Sequence, residues 1–139
     1  MQVSSRHLVE RAAEIGIHPA KSKTVRMPDV PQEVLGHFLR GVFDGDGCVR
    51  DSSDKRRNEK PRLSMQIASG SHEFRADLMK TLLNVGFGSR ESGIEVVLSH
   101  KESEKFAAWL WQDKEKSIWM DRKYDRYCEI MKAREGWKK

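Results

Sequence analysis

The chain has 139 residues, of which 37% are hydrophobic and 34% are charged, which is enough for one domain with a core of its own. No apolar run approaches the roughly 20 residues of a membrane-spanning helix, and two cysteines are too few for a disulfide framework. With 26 basic and 21 acidic side chains the net charge is +5, which permits binding to nucleic acid without requiring it.

Residues 1–31 predict a helix followed by an extended linker. The helix spans residues 4–15, with Ser4 or Ser5 as its N-terminal cap, and residues 17–26 predict the extended connector. The apolar side of this helix is formed by Leu8, Val9, Ala12 and Ile15. The first residues lack the apolar core of a signal peptide, so we expect an intracellular protein of the cytoplasm or nucleoid.

An apolar stretch then runs into a short segment of alternating aspartates and glycines. Its apolar side chains recur at helical spacing and form one stripe, Leu35, Phe38, Leu39, Val42 and Phe43. Gly41 and Gly45 are four residues apart, so one face of the predicted helix carries no side chains and admits a close neighbour. Asp44 and Asp46 fall at the C-terminal end, where the helix dipole disfavours carboxylates and a divalent cation would remove the conflict. A plain DGDG turn between a helix and a hairpin is the alternative.

After this segment the pattern alternates between strands and helices. Leu63, Met65 and Ile67 alternate with polar residues, as expected of a half-buried strand. The predicted elements are strands at 48–51, 62–68, 87–91 and 94–99, a helix from Ser71 to Gly86, a helix capped by Ser103 and a last helix around 120–131. Counted from the apolar helix, the order is αββαββαα.

The central stretch resembles the motif of a known family. Residues 39–47, LRGVFDGDG, resemble the LAGLIDADG motif of homing endonucleases, and both acids match, as do the glycines at the third and last positions. Arg40 departs from the small residue usual at the second position. The resemblance implies an α+β fold of order αββαββα, with a four-stranded antiparallel saddle that lies on DNA. We therefore expect residues 1–31 to be an N-terminal helical extension and residues 32–139 to be the LAGLIDADG endonuclease domain.

The resemblance implies a metal-dependent active site at the end of the motif helix. Asp46 matches the family's metal ligand, with the Gly47 carbonyl beside it, and Asp44 matches a more structural acid. Lys123, within the sequence MDRKY, matches a lysine that reaches the active-site waters or the transition-state charge. Ser69 falls where the family places a water-positioning residue, although on the residues alone it only begins a turn. The implied cofactor is Mg²⁺, for which Mn²⁺ substitutes, whereas Ca²⁺ binds without cleavage.

The resemblance also implies self-association, because one motif supplies one metal-binding acid and the family's active site uses two motif helices side by side. We expect a homodimer whose motif helices meet on the glycine face. The expected interface residues are Phe38, Gly41, Val42 and Gly45. A two-fold dimer contacts itself with the same patch on each subunit, so its DNA site should be roughly palindromic.

Strand parity predicts the side chains that face DNA. If Leu63, Met65 and Ile67 point toward the helices, their neighbours point outward, and the same argument puts Ile94 on the inner face of the second hairpin. Arginine and glutamine on the outer face are able to pair with guanine and adenine edges. The predicted DNA-binding residues are Cys48, Arg50, Ser52, Arg62, Ser64, Gln66, Ala68, Arg90, Glu95 and Val97, with Lys55, Arg56 and Arg57 of the first hairpin loop for phosphates. An ordinary solvated loop is the alternative for the last three.

These inferences favour a site-specific double-strand DNA endonuclease, the homing endonuclease of a mobile intron or intein, acting as a homodimer. Two alternatives stay open. One is a catalytically silent module that binds DNA or intron RNA, as maturases and regulators of this fold do. The other is an isolated half of a two-motif enzyme, because the sequence holds one motif and no internal repeat.

Overall fold

The computed structural model describes residues 5–14, 23–112 and 119–138, and the predicted connector at 17–26 lies outside this part as far as residue 22. The elements are α1 (Arg6–Glu14), α2 (Leu35–Asp46), β1 (Gly47–Asp51), β2 (Leu63–Ala68), α3 (His72–Asn84), β3 (Ser89–Ser92), β4 (Glu95–Leu98), α4 (His100–Leu110) and α5 (Asp121–Glu135). Short 3₁₀ turns lie at Gln32–Val34 and Lys55–Arg57. The order αββαββαα from α2 onward confirms the α+β architecture predicted from the sequence.

The four strands form one antiparallel sheet in the order β1-β2-β4-β3. Each hairpin pairs its own two strands, and β2 pairs with β4 at the centre. Because side chains alternate between the faces of a sheet, the register decides which residues share a face. Gln66 lies opposite Cys48 on one side and Val97 on the other, so these three residues form one row of the outer face.

The inner face of the sheet packs against the helices and forms the core. The buried strand residues are Val49, Leu63, Met65, Ile67, Val96 and Leu98. The helices contribute Leu35, Leu39, Phe43, Leu78, Leu82, Phe106, Leu110 and Ile130. Trp111 is buried, and Trp109 and Trp119 pack against the core. Several of the aromatic rings meet edge to face, as between Phe43 and Phe106.

Two local predictions were wrong for reasons of turn geometry. Ile94 is 61% exposed, because it forms the hairpin turn with Gly93 and β4 begins only at Glu95. Helix α4 begins at His100 rather than after Ser103. Ser103 is instead buried inside α4, where its hydroxyl accepts a hydrogen bond from the Met65 N–H at 2.9 Å and donates to the Leu98 carbonyl at 3.1 Å.

The N-terminal part has one exposed helix and one anchored segment. Helix α1 contains no buried residue, and Leu8 on its apolar side is 57% exposed. Further along, the Ser71 hydroxyl donates to the Val25 carbonyl at 2.6 Å, and Arg26 donates twice to the Asp77 carboxylate at 3.0 and 3.1 Å. The chain just before α2 is therefore held against α3. None of the helices in the described ranges combines the length and the apolar composition that a membrane span requires.

Candidate functional site

The motif helix passes directly into the first strand, and a glycine makes this possible. Helix α2 ends at Asp46 and β1 begins at Gly47, whose N–H donates to the Phe43 carbonyl. A Cβ atom on Gly47 would collide with the ring and the carbonyl of Phe43. The position therefore requires glycine for packing, since its φ of −83° is open to any residue. As a result the exposed side chain of Asp46 stands at the junction of helix and sheet.

A buried lysine closes the C-terminal end of α2. The Lys123 ammonium donates to the carbonyls of Phe43 at 2.5 Å and Asp44 at 2.7 Å, and it lies 5.3 Å from the centre of the Phe43 ring. Cations at a helix C-terminus satisfy its free carbonyls and its dipole. Burial and the neighbouring Arg122 hold the pKa of Lys123 below its ordinary value, although Asp44 and Asp46 among its neighbours oppose this shift.

The other motif acid, Asp44, joins α2 to the last helix. One of its carboxylate oxygens, Oδ2, accepts a hydrogen bond from the Met120 N–H at 3.1 Å, just before α5 begins. The second, Oδ1, is buried and has no hydrogen-bond partner among the described residues. A buried oxygen without a donor is costly, so this atom is suited to accept from a further donor or a cation beyond the described residues.

The oxygen atoms at this end of α2 suit a hard divalent cation. Asp46 offers an exposed carboxylate, Gly47 offers a carbonyl, and Asp44 holds the unpaired Oδ1 nearby in the chain. In the part of the chain that the structure describes, no group of three histidine, cysteine, aspartate or glutamate side chains converges on one point. Mg²⁺ commonly keeps several waters and takes one or two carboxylates plus substrate phosphates. The residues present therefore fit a magnesium site that other molecules complete.

Ser69 lies at the same end of the sheet, immediately after β2. Gly47 and Ile67 are partners, so the start of β1 and the end of β2 lie side by side. The Ser69 hydroxyl accepts from the Ser71 N–H at 3.3 Å, which is the contact of a turn-forming serine. Arg75 fixes the turn by donating to the Ser69 carbonyl at 2.7 Å.

Sequence reasoning missed Arg75, which is 8% exposed and also donates to the Glu91 carboxylate at 2.6 Å. The side chain links α3, β3 and the turn after β2. The sequence did contain a signal for the role of Arg75. This residue precedes Leu78 and Leu82 by three and seven residues, so it falls on the apolar stripe of α3. A charged residue on such a stripe requires partners, and here it has them.

The glycine face of α2 is open. Gly41 and Gly45 are exposed, and a Cβ atom added to either would meet no atom within 4 Å. Phe38 and Val42, on either side of this face, are half-buried. Packing within the described chain therefore gives no reason for glycine at these two positions, in contrast to Gly47.

Arg40, which departs from the motif, has a structural explanation. Its guanidinium is 5% exposed, and its Nε and Nη2 both donate to the Leu110 carbonyl, at 2.8 and 2.6 Å. It also lies 5.9 Å from the ring centre of Trp119. Arg40 thus closes the C-terminal end of α4 in the same way that Lys123 closes that of α2.

The outer face of the sheet carries most of the side chains expected to contact DNA. By register, these are Cys48, Arg50, Ser64, Gln66, Ala68, Arg90, Glu95 and Val97. They differ in exposure, because Ser64, Gln66 and Val97 are at most 9% exposed. Arg50, by contrast, has a side chain that is 50% exposed, and its Nη2 lies 3.4 Å from a carboxylate oxygen of Glu95.

The loop between β1 and β2 is folded, with its basic side chains outward. The Asp51 carboxylate accepts from the Ser53 and Arg62 N–H groups at 2.9 and 3.0 Å. Asp54 accepts from the Arg56 N–H at 2.9 Å and so caps the 3₁₀ turn. The side chains exposed on this loop and next to it include Ser52, Lys55, Arg56, Arg57 and Arg62. Of these, Arg57 and Arg62 form exposed ion pairs with Asp54 and Glu59.

Comparison with known proteins identifies the family. The model of the LAGLIDADG-like domain matches residues 33–108, from the motif helix through most of α4. The chain is also similar to the probable translation initiation factor IF-2 of Thermococcus kodakarensis, with 35% identity over 74 residues, which are 50% of this chain and 6% of that protein. The chain thus spans a small part of that relative. On the family match, the chain belongs to the LAGLIDADG-like domain family, a family of DNA-binding homing endonucleases and maturases.

Proposed function

We propose that this chain is a site-specific double-strand DNA endonuclease that acts as a homodimer and hydrolyses phosphodiester bonds with Mg²⁺ at a long, roughly palindromic site. One observation carries the proposal: the exposed glycine face of α2 ends at the exposed carboxylate of Asp46. A second copy packed on that face would bring its own Asp46 beside the first. The same helix then both forms the dimer and supplies the acids.

Helix energetics support the dimer. A glycine inside a helix destabilises it by about 1 kcal/mol relative to alanine, and α2 carries two of them with open space beside them. Backbones without side chains allow two helices to approach closely, which is what a motif-helix contact needs. In this interface Gly41 and Gly45 form the contact line, and Phe38 and Val42 pack around it. The contact is isologous, so the bound DNA has matching half-sites.

The end of α2 supplies the chemistry. Asp46 and the Gly47 carbonyl hold the metal, which when bound polarises the phosphate and makes its water more acidic. Mn²⁺ supports the reaction, and Ca²⁺ binds without cleavage. Lys123 places a positive charge at this end of the helix, where it fixes the last turn and offsets charge that develops on the phosphate. Ser69, held by Arg75, orients water at the neighbouring end of β2.

The outer face of the sheet lies along the major groove in this proposal. Arg50 and Arg90 are exposed there and pair with guanine edges, and the exposed Cys48 lies two residues before Arg50 on β1. Lys55, Arg56 and other basic side chains of the β1–β2 loop contact phosphates and contribute affinity that depends on salt. The phosphate contacts position the protein, and the sheet selects the sequence.

A second candidate is a silent module that binds DNA or intron RNA, or one half of a two-motif enzyme within a larger reading frame. The similarity to a small part of a much larger protein favours it, because a domain carried inside a host protein gives such a match. The open face of α2 would then receive another LAGLIDADG unit instead of a second copy.

The test is cleavage of a randomised palindromic DNA library with Mg²⁺, by wild type and by Asp46→Asn. Discrete cut sites that disappear in the variant, with binding in Ca²⁺ retained, are the expected result. Asp125→Asn, the same change at an exposed position on α5, should cut like wild type. Enrichment of bound DNA without cutting supports the silent module. Neither binding nor cutting, from a chain that sediments as a monomer, supports the half enzyme.

A further inference from the structure

Three side chains on the outer face of the sheet form a connected group, here called the Glu95 triad: Glu95, Gln66 and Arg50. The Glu95 carboxylate accepts a hydrogen bond from Gln66 Nε2, and the same oxygen lies 3.4 Å from Arg50 Nη2. Each residue belongs to a different strand, since Arg50 is on β1, Gln66 on β2 and Glu95 on β4. The triad therefore crosses the middle of the face.

This contact changes what the face offers to a ligand. A carboxylate accepts hydrogen bonds and donates none, so the amide nitrogen of Gln66 is the atom that faces Glu95. One of the two N–H groups of the amide is thereby committed to Glu95, which leaves the amide oxygen and one N–H for a base. A free glutamine can turn its amide to pair with both N6 and N7 of adenine, whereas a glutamine held by Glu95 presents its amide in one orientation, with the oxygen available to accept from a base amine. Gln66 is 4% exposed, so the triad also limits its reorientation.

The triad also changes the charge of the face. Glu95 offsets the charge of Arg50, whose Nη2 lies 3.4 Å from its carboxylate, and its own negative charge repels phosphates. A phosphate that binds Arg50 leaves the Glu95 carboxylate without its cation beside an anionic backbone, so a duplex that offers only its backbone gains little from this contact. A duplex with a guanine for Arg50 and a base amine for Glu95 or Gln66 gains more, because the carboxylate then has a new donor as well.

From this arrangement we infer that Glu95 is a specificity-determining residue. It holds Arg50 and Gln66 until matching base edges take its place, and it thereby weakens binding to non-cognate duplexes. The inference rests on the proposed function, because it requires the outer face to bind DNA. Glu95 acts here through its neighbours as a positioning residue, and it also presents its own carboxylate to the groove. The substrate that it favours carries guanine and a base amine, of cytosine or adenine, near the middle of each half-site.

The experiment compares wild type with Glu95→Gln in Ca²⁺, by binding to a duplex selected from a random library and to a scrambled duplex. We expect Glu95→Gln to bind the scrambled duplex roughly tenfold more tightly, and the ratio of selected to scrambled affinity to fall by a similar factor. Release of Arg50 to a phosphate should also make the slope of log affinity against log salt more negative by about one unit on the scrambled duplex.

Glu129→Gln is the matched control, because it removes the same charge from an exposed glutamate on α5 that pairs with Arg126 at 2.9 Å. It should leave the affinity ratio unchanged. A ratio for Glu95→Gln within twofold of wild type, with a normal unfolding transition, would overturn this inference and leave the proposed function standing. A wild type that selects no sequence from the library would overturn both.

Discussion

The Lys123 ammonium donates to the main-chain carbonyl of Asp44 at 2.7 Å, although the two residues lie 79 positions apart in the chain. Helix ends leave their last carbonyls unpaired, and here a side chain from the last helix pairs them. The acid Asp46 follows two residues later at the same helix end. The position of this acid therefore depends on a contact made by α5.

Replacing Lys123 with methionine should lower the free energy of unfolding by about 2–3 kcal/mol. Hydrogen bonds to charged groups typically contribute about 1.5–3 kcal/mol each, and methionine keeps the buried volume while removing both bonds to Phe43 and Asp44. Urea unfolding followed by circular dichroism measures the change.

The control is Lys132→Met, at an exposed position on the same helix. Its effect should stay within about 0.5 kcal/mol, as for other surface substitutions. If the two variants lower the free energy of unfolding equally, then the hydrogen bonds from Lys123 to the carbonyls at the end of α2 add no stability.

The pKa of Lys123 should lie below its ordinary value of 10.5, because burial and Arg122 lower it while Asp44, Cys48 and Asp46 raise it only in part. Asp46→Asn should lower this pKa further, since it removes one of the opposing charges. A titration of the Lys123 side-chain carbon signal by NMR measures the value in wild type and in the variant. A pKa at or above the ordinary value would contradict the burial of its charge.

This shift has a consequence for stability. The folded pKa of Lys123 lies below the unfolded value near 10.5, so between the two values the unfolded chain binds more protons. Within that window the lysine's contribution rises with pH. The difference in unfolding free energy between wild type and Lys123→Met should therefore grow from the folded pKa toward about pH 10.5. A flat difference there would mean that the pKa of Lys123 is not shifted on folding, and a falling one would reverse the sign of the shift.

Gly41 and Gly47 should respond in opposite ways to larger side chains. Gly41→Leu should leave the folded chain as stable or stabilise it by up to about 1 kcal/mol, because the added atoms meet open space and leucine favours helix. If the chain forms the homodimer proposed above, the same substitution should abolish it in sedimentation velocity. Gly47→Ala should destabilise the fold by about 1–3 kcal/mol through its collision with Phe43. If Gly41→Leu fails to fold, then the glycine face of α2 is covered by another part of the same chain.

Arg40→Lys should destabilise the protein by about 2 kcal/mol even though the charge is kept. The guanidinium gives two hydrogen bonds to the Leu110 carbonyl, and a lysine ammonium cannot reproduce that planar pair. Arg122→Lys, at an exposed position, is the control and should be neutral in thermal unfolding. If Arg40→Lys leaves the stability unchanged, then Arg40 contributes only its buried positive charge and not its pair of hydrogen bonds to the Leu110 carbonyl.

The order of the elements and most of the core followed from periodicity alone. Leu63 and Met65 alternate with polar neighbours, and both are buried as parity requires. Parity failed at Ile94 because a turn residue has no strand partner, and the turn lies at residues 93–94, one position later than the pattern indicated. Local sequence carries no signal that separates a last turn residue from a first strand residue when both are apolar.

The contacts that organise the candidate site were less accessible from sequence. Lys123 and Arg40 were visible as charges, but their partners are main-chain carbonyls 79–80 and 70 positions away, which no side-chain pattern encodes. The link between Glu95 and Gln66 required the register of β2 and β4, because the two are diagonal neighbours. The residue types therefore predicted which chemical groups the site contains, whereas the tertiary structure was needed to show which of these groups are hydrogen-bond partners.

The long separation between Lys123 and the carbonyl it closes has a further consequence for synthesis. The ribosome delivers α2, the sheet and α4 before it delivers α5, and domains begin to fold from the N-terminal side. Until α5 docks, the carbonyls of the last turn of α2 bind water instead of the Lys123 ammonium. A chain cut between α4 and α5 would keep Asp46 and the whole sheet but would leave this turn free to fray. Synthesis and docking of α5, rather than formation of the sheet, is thus the step that fixes the acid in place.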